Sequence, residues 1–134
     1  MDKAISQDIN CEGAYYCHDQ FPYLNRMAIS NALKLTHTSF EKESRYQKNL
    51  PKYWRHILKS QRINDLTLYL WEMVAFWLGK SNELMQFVKK SRTFNAEISI
   101  DVYGKKDFSF FLNESFLIQL ANIRTSIRFS FIVI

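Results

Sequence analysis

The sequence predicts a single α+β domain in which helices pack against a mixed, mostly antiparallel sheet. In two stretches, 94–102 and 127–133, apolar residues fall on every second position, which is the period of a strand with one buried face. Between 65 and 78 they recur at spacings of three and four, which is the period of an amphipathic helix. At 134 residues, of which 47% are hydrophobic and 16% aromatic, the chain is long and apolar enough to bury one core.

We expect residues 1–10 to form a flexible N-terminus and residues 11–134 to form the domain. The first strand is predicted over 11–18, which is short, aromatic and β-prone. A helix follows over about 25–35, then an extended or turning segment at 36–44 and a loop at 44–51. Residues 52–60, centred on Trp54, fit a strand and a helix almost equally well, and both readings stay open here.

Two consecutive helices are predicted next, over 65–78 and 82–90. Asn64 or Asp65 starts the first, Gly79 is expected to end it as a left-handed C-cap residue, and Ser81 is expected to cap the second. The apolar spacing predicts one wide buried face on the first helix, formed by Leu66, Tyr69, Leu70, Met73, Val74 and Trp77.

The last forty residues are predicted to form a hairpin, a helix and a final strand. The strand at 94–102 turns at 104–107 into a second strand at 108–112, and Asn113 caps a short helix. The closing strand alternates up to the C-terminus and must pair inside a sheet, because an unpaired apolar edge invites aggregation. The predicted order of elements is therefore β-α-β-β-α-α-β-β-α-β.

With this order, the chain resembles the bacterial domain-of-unknown-function family 4279. The resemblance spans residues 12–134 and is carried by the segments 29–35, 96–103, 108–112 and 116–121, by Trp54 on its strand, and by Asp65 at the start of the long helix. The chain departs from the family at 40–50, where Lys and Glu replace a Gly-rich start, and at Arg128, where acids are common. The resemblance implies an α+β sheet domain without an established activity. Small bacterial proteins of this kind are often encoded beside toxin modules as immunity partners.

The sequence offers no constellation for catalysis, a metal or a cofactor, and we expect a protein that is not an enzyme. Cys17, His18 and Asp19 are consecutive, but neighbouring side chains on a strand point to opposite faces. Cys11 and Cys17 would be roughly 20 Å apart on one strand, too far for a disulfide, and free thiols suit a reducing compartment. The N-terminus is neither a secretion signal nor an anchor, and no apolar run is long enough to span a membrane, so a cytoplasmic location is expected.

Charge is the one unusual feature. Residues 41–62 hold seven basic and two acidic side chains, which accounts for the whole net charge of +5. Basic and aromatic side chains together suit an acidic protein partner or a nucleic acid, although a solvated surface explains the same pattern. The predicted partner-binding residues are Lys42, Arg45, Tyr46, Lys48, Lys52, Tyr53, Arg55, Lys59 and Arg62.

The sequence thus leads to an expectation and an alternative. We expect a non-catalytic immunity protein that binds and neutralises a cognate protein toxin, with no membrane involvement. The alternative is a nucleic-acid-binding domain that uses the basic aromatic segment 42–62. Of the two, the protein partner is favoured, because no RNA- or DNA-binding motif is present and Trp54 matches a core position of the resembled family.

Overall fold

A computed structural model of the chain describes residues 9–20, 24–39, 51–104 and 109–133. It confirms the α+β class. The predicted loop at 44–50 and turn at 105–107 lie outside the described residues, as do residues 1–8, whereas Ile9 and Asn10 already belong to the first strand. The elements are β1 (Ile9–His18), α1 (Arg26–Leu33), β2 (Tyr53–Ile57), β3 (Gln61–Ile63), α2 (Leu66–Leu78), α3 (Ser81–Lys90), β4 (Asn95–Gly104), α4 (Glu114–Asn122) and β5 (Thr125–Val133).

The five strands form one sheet in the order β2-β1-β4-β5, with β3 pairing with β1 beside β2. Strand β1 runs antiparallel to β2, β3 and β4, and β4 runs parallel to β5. The open choice at 52–60 is resolved in favour of a strand. Because β4 and β5 are parallel, the chain must cross from one end of the sheet to the other between them, and α4 lies in this connection.

Strands β2 and β3 are two parts of one edge, separated by a β-bulge. Leu58 donates its backbone N–H to Gly13 O over 2.8 Å and so continues the register of β2. The register of β3 is shifted by one residue, which leaves residues 59–60 opposite Glu12 alone. Two residues opposite one is the definition of a bulge, and it bends the edge where it occurs.

The core lies between one face of the sheet and the helices. On β1 and β4 the alternate residues that face the helices, among them Tyr15 and Ile98, are buried, as the alternation predicts. The Tyr15 ring stacks on Trp77 at 4.7 Å, and its hydroxyl donates to Met73 O over 2.9 Å. All six residues of the predicted α2 face are buried: Leu66, Tyr69, Leu70, Met73, Val74 and Trp77.

The predicted hairpin is wrong. Residues 109–113 form no strand, and β4 pairs with β1 and with β5 instead. The segment runs over the helices: Phe111 N–H donates to Thr67 Oγ1 over 3.1 Å, and Trp71 Nε1 donates to Phe111 O over 2.7 Å. Of its alternating apolar residues that the structure describes, Phe110 stacks on Phe129 at 4.2 Å and Leu112 packs against the core. Residues 36–39, part of another predicted extended stretch, also lie outside regular strands.

The predicted ends of the two consecutive helices agree with the structure, since α2 ends at Leu78 and α3 at Lys90, whereas the predicted caps agree only in part. Asp65 caps α2 by accepting from Leu68 N–H at 3.0 Å, and Asn113 caps α4 by accepting from Phe116 N–H at 2.9 Å. Gly79 is right-handed (φ −64°), so its predicted left-handed conformation is wrong. Ser81 is the first residue of α3 and not its cap, and its hydroxyl donates to Leu78 O.

None of the four helices in the described ranges has the length and apolar character needed to cross a bilayer.

Candidate functional site

The described members of the predicted basic surface are spread along the β2–β3 edge. Tyr53 pairs with His18 and Arg62 with Asn10, which is eight residues further along β1. At about 3.3 Å per residue this separates Tyr53 from Arg62 by roughly 26 Å. The side chains of Lys52, Lys59 and Arg62 are exposed.

Two members of this set are engaged within the chain. The Arg55 guanidinium donates to Thr38 O over 2.9 Å and to Ser39 O over 3.1 Å. The Tyr53 ring is covered on one face by the Arg26 guanidinium, 4.7 Å from the ring centroid. Lys42, Arg45, Tyr46 and Lys48 lie outside the described residues. The nine-residue surface therefore remains a prediction.

The opposite face of the sheet, turned away from the helices, forms a different surface. No helix of the described ranges packs on it, and Asn10, His18, Asn95, Ser126 and Arg128 on this face are exposed. The central strands contribute Glu12 and Tyr16 from β1 and Glu97, Asp101 and Tyr103 from β4, all of them half-buried. We call these five residues the acidic face.

Two carboxylates of the acidic face stand directly opposite each other. Glu12 on β1 pairs with Asp101 on β4 in the antiparallel register. Residues opposite each other on one face have Cβ atoms about 5 Å apart, and like charges in such a pair destabilise a sheet. Partial burial and the negative charges of Glu12 and Asp101 raise the pKa of Tyr103, so its hydroxyl lies within their field.

The third carboxylate, Glu97, lies further along β4, opposite Tyr16 on β1. Desolvation lowers the pKa of His18, while Glu97 and Arg128 act on it in opposite directions, so these side chains lie near one another. Arg128 belongs to β5, outside the central pair of strands. The face is thus negative along its centre and carries positive side chains on its outer strands, namely Arg55 on β2, Arg62 on β3 and Arg128 on β5.

Such a surface can dock a basic protein surface. The carboxylates supply charge complementarity, and the two tyrosines supply flat side chains of the kind that dominate binding energy at protein interfaces. A phosphate backbone would meet like charge at the centre of the face.

The residues with reactive side chains have structural positions. Cys17 is fully buried on the helix side of β1, whereas His18 is exposed on the other face, as alternation along a strand requires. Asp19 is buried and accepts hydrogen bonds from the hydroxyls of Ser91, at 3.0 Å, and Thr93. Cys11 and Cys17 are free thiols, as expected. Among the described residues no group of three or more His, Cys, Asp or Glu is placed to hold a metal ion.

A cavity of about 220 Å³ lies between α2 and the β2–β3 edge. Its walls include Tyr15, Leu58, Tyr69, Met73 and Phe76. Ligand pockets usually measure about 300–1,000 Å³, so this one suits a single side chain better than a cofactor.

Comparison with models of known protein families, with curated proteins and with solved structures finds no match to this chain. The resemblance to the domain-of-unknown-function family 4279 therefore remains an expectation.

Sequence reasoning missed the acidic face because its residues are distant along the chain. The alternation of β4 places Glu97 and Asp101 on one side of a strand, and that signal is visible in the sequence. Only the pairing of β1 with β4 brings Glu12 opposite Asp101, and no local sequence pattern predicts this pairing.

Proposed function

We propose that this chain is a non-catalytic bacterial protein that binds and neutralises a cognate protein toxin, and that the acidic face contacts a basic surface of the toxin. The observation that carries the choice of surface is the direct opposition of Glu12 and Asp101. This pair lowers the stability of the free sheet and gains a favourable interaction once a cationic side chain lies between or above the carboxylates. The toxin class itself is supported by the family resemblance described above.

The acidic face also removes an objection to this function. A protein with a net charge of +5 is a poor match for a toxin with a basic active cleft. Glu12, Glu97 and Asp101 place negative charge along the centre of one face, between the arginines of its outer strands. Two buried free thiols suit a reducing compartment, and we place the protein in the cytoplasm.

The experiment is co-purification of the chain with the product of the neighbouring toxin gene, followed by binding measurements on charge variants. Glu12→Gln combined with Asp101→Asn is expected to raise the dissociation constant by about 10-fold or more and to slow association, because steering is lost. The free energy of unfolding of the same variant should be about 0.2–1 kcal/mol higher than that of the parent, since a like-charge pair is removed.

Glu72→Gln is the matched control, because Glu72 is an exposed carboxylate on α2, on the helix side of the sheet. It should leave the affinity unchanged. Unaltered binding by the double variant would refute the acidic face as the contact surface. Absence of any complex with the toxin would refute the toxin-binding function.

The alternative, a nucleic-acid-binding domain using residues 42–62, makes a different prediction. Trp54 is fully buried, and its Nε1 donates to Ser30 Oγ over 2.9 Å, so it does not stack on a base. Binding of a single-stranded oligonucleotide that weakens steeply with salt and requires Lys59 and Arg62 would favour this alternative over the toxin.

A further inference from the structure

The closing strand was expected to lie inside the sheet, whereas β5 forms its outer edge. In the described part of the chain it pairs only with β4, in unbroken register from Thr125 to Val133. Its nine residues contain no proline and one charge, Arg128. Natural proteins usually protect such edges with charges, prolines or bulges, because a long apolar edge presents a template for another strand.

One backbone hydrogen bond shows which residues of β5 direct their N–H and C=O groups to the outer edge. Ala96 N–H donates to Arg124 O over 3.0 Å, so the even-numbered residues of this strand direct their backbone groups toward β4. Backbone N–H and C=O of one residue point to the same side of a strand, and the side alternates. The odd-numbered residues of 125–133 therefore direct their N–H and C=O groups to the outer edge.

We propose that a second copy of this chain pairs with this edge, giving an antiparallel, two-fold symmetric dimer centred on Phe129. With that centre, the two Phe129 residues face each other, and Ile127 lies opposite Phe131 of the other copy. The paired odd-numbered residues are those whose backbone groups point outward, so the whole strand is hydrogen-bonded. Arg128 lies opposite Ser130 of the other copy, whereas a centre at Arg128 would oppose two guanidinium groups.

The surroundings of β5 fit a partner that is itself apolar. The Phe129 ring stacks between Phe110, at 4.2 Å, and Phe131, at 6.2 Å, and α4 packs beside the strand. Several large apolar side chains at or beside the edge are exposed: Phe131 (49%) and Ile132 (38%) on the two faces of β5, Phe110 (39%) stacked on Phe129, and Leu117 (50%) and Ile118 (55%) on α4. A specific interface buries at least about 1,000 Å² in total, and these side chains together with the outer edge of both copies can supply it.

This dimer is independent of the toxin-binding function, because the acidic face lies on the central strands and not on the outer edge. The test uses the full chain without any toxin. Analytical ultracentrifugation at micromolar concentrations should show a species of twice the 16.0 kDa chain mass. Phe131→Asp should weaken the dimer by about 30-fold or more, since a charge enters the interface. Leu68→Asp is the matched control, because Leu68 on α2 is 50% exposed, and it should leave the dimer intact.

A cross-linking variant tests the register even if Phe131→Asp does not fold. Arg128→Cys together with Ser130→Cys places a thiol of one copy opposite a thiol of the other at two symmetric positions, and oxidation should give a covalent dimer. Ser126→Cys alone should not cross-link, since its counterpart lies about six residues away along the paired strands. The native cysteines are fully buried and do not interfere. A monomer at all concentrations, or a dimer that the double-cysteine variant does not cross-link, would overturn the proposal.

Discussion

At the scale of single residues, Gly13 shows how closely the sheet and α2 are fitted. A Cβ atom at this position would lie 2.8 Å from Met73 Cε and Sδ and from the Tyr69 hydroxyl. The hydroxyl is buried and has no hydrogen-bond partner among the described residues. A buried polar group without a partner costs stability, so this contact combines tight packing with an unfavourable hydroxyl.

Gly13→Ala should lower the free energy of unfolding by about 1–3 kcal/mol, because the added methyl group overpacks the interface. Tyr69→Phe alone should leave stability unchanged or raise it by about 1 kcal/mol, since it removes the unpartnered hydroxyl. The double variant should recover part of the loss, because the phenyl ring ends before the new methyl group. Urea unfolding of the four proteins measures this coupling. Strict additivity of the two changes would contradict the proposed contact.

At the scale of elements, two helices of the described ranges are followed by a residue in the left-handed conformation, and neither of these residues is a glycine. Lys34, the C-cap of α1, has φ 57°, and Arg124, between α4 and β5, has φ 50°. Gly79 does mark the end of α2, as predicted, but it caps the helix in a right-handed conformation, so only its predicted left-handed conformation is wrong. Helix faces were predictable because they depend on local spacing alone, as the six buried residues of α2 show.

Replacing these two residues by glycine should have opposite effects. Lys34→Gly should raise the free energy of unfolding by about 0.5–1 kcal/mol, because glycine adopts the left-handed conformation without strain. Arg124→Gly should lower it by about 1 kcal/mol or more, since Arg124 Nη1 donates to Ser91 O over 2.8 Å and approaches Phe94 O at 3.4 Å. Thermal or urea unfolding of both variants checks the contrast. Stabilisation by Arg124→Gly would show that these bonds contribute little.

At the scale of the whole molecule, the sequence predicted the class but not the connections of the sheet. Strand alternation is local and identified β4 and β5, whereas pairing joins strands far apart in the chain. The same limit hid the acidic face, which exists only because β1 and β4 are neighbours. The strongest signal in the sequence was the basic segment 41–62. Those of its residues that the structure describes are spread along the β2–β3 edge.

The core contains several buried groups that lose a proton at alkaline pH. Burial raises the pKa of the Cys11 thiol to about 11 and raises that of Cys17 as well. Burial also raises the pKa of Tyr69 to about 12, with smaller contributions from Cys11 and Glu12, and raises that of Tyr15. In the unfolded chain the thiols titrate near 8.5 and the phenols near 10, so the folded chain holds more protons in this range.

Stability should therefore fall as the pH rises above about 8.5, because the unfolded thiols ionise while the folded ones stay protonated. Each thiol contributes a slope of up to about 1.4 kcal/mol per pH unit, and the phenols add to it above about pH 10. Urea unfolding between about pH 7 and pH 10 measures the slope. A variant with both Cys11→Ala and Cys17→Ala is expected to be less stable at neutral pH, because both side chains are fully buried, but its stability should change much less across this window. An equal slope in the parent and the variant would show that the thiols do not cause the alkaline loss.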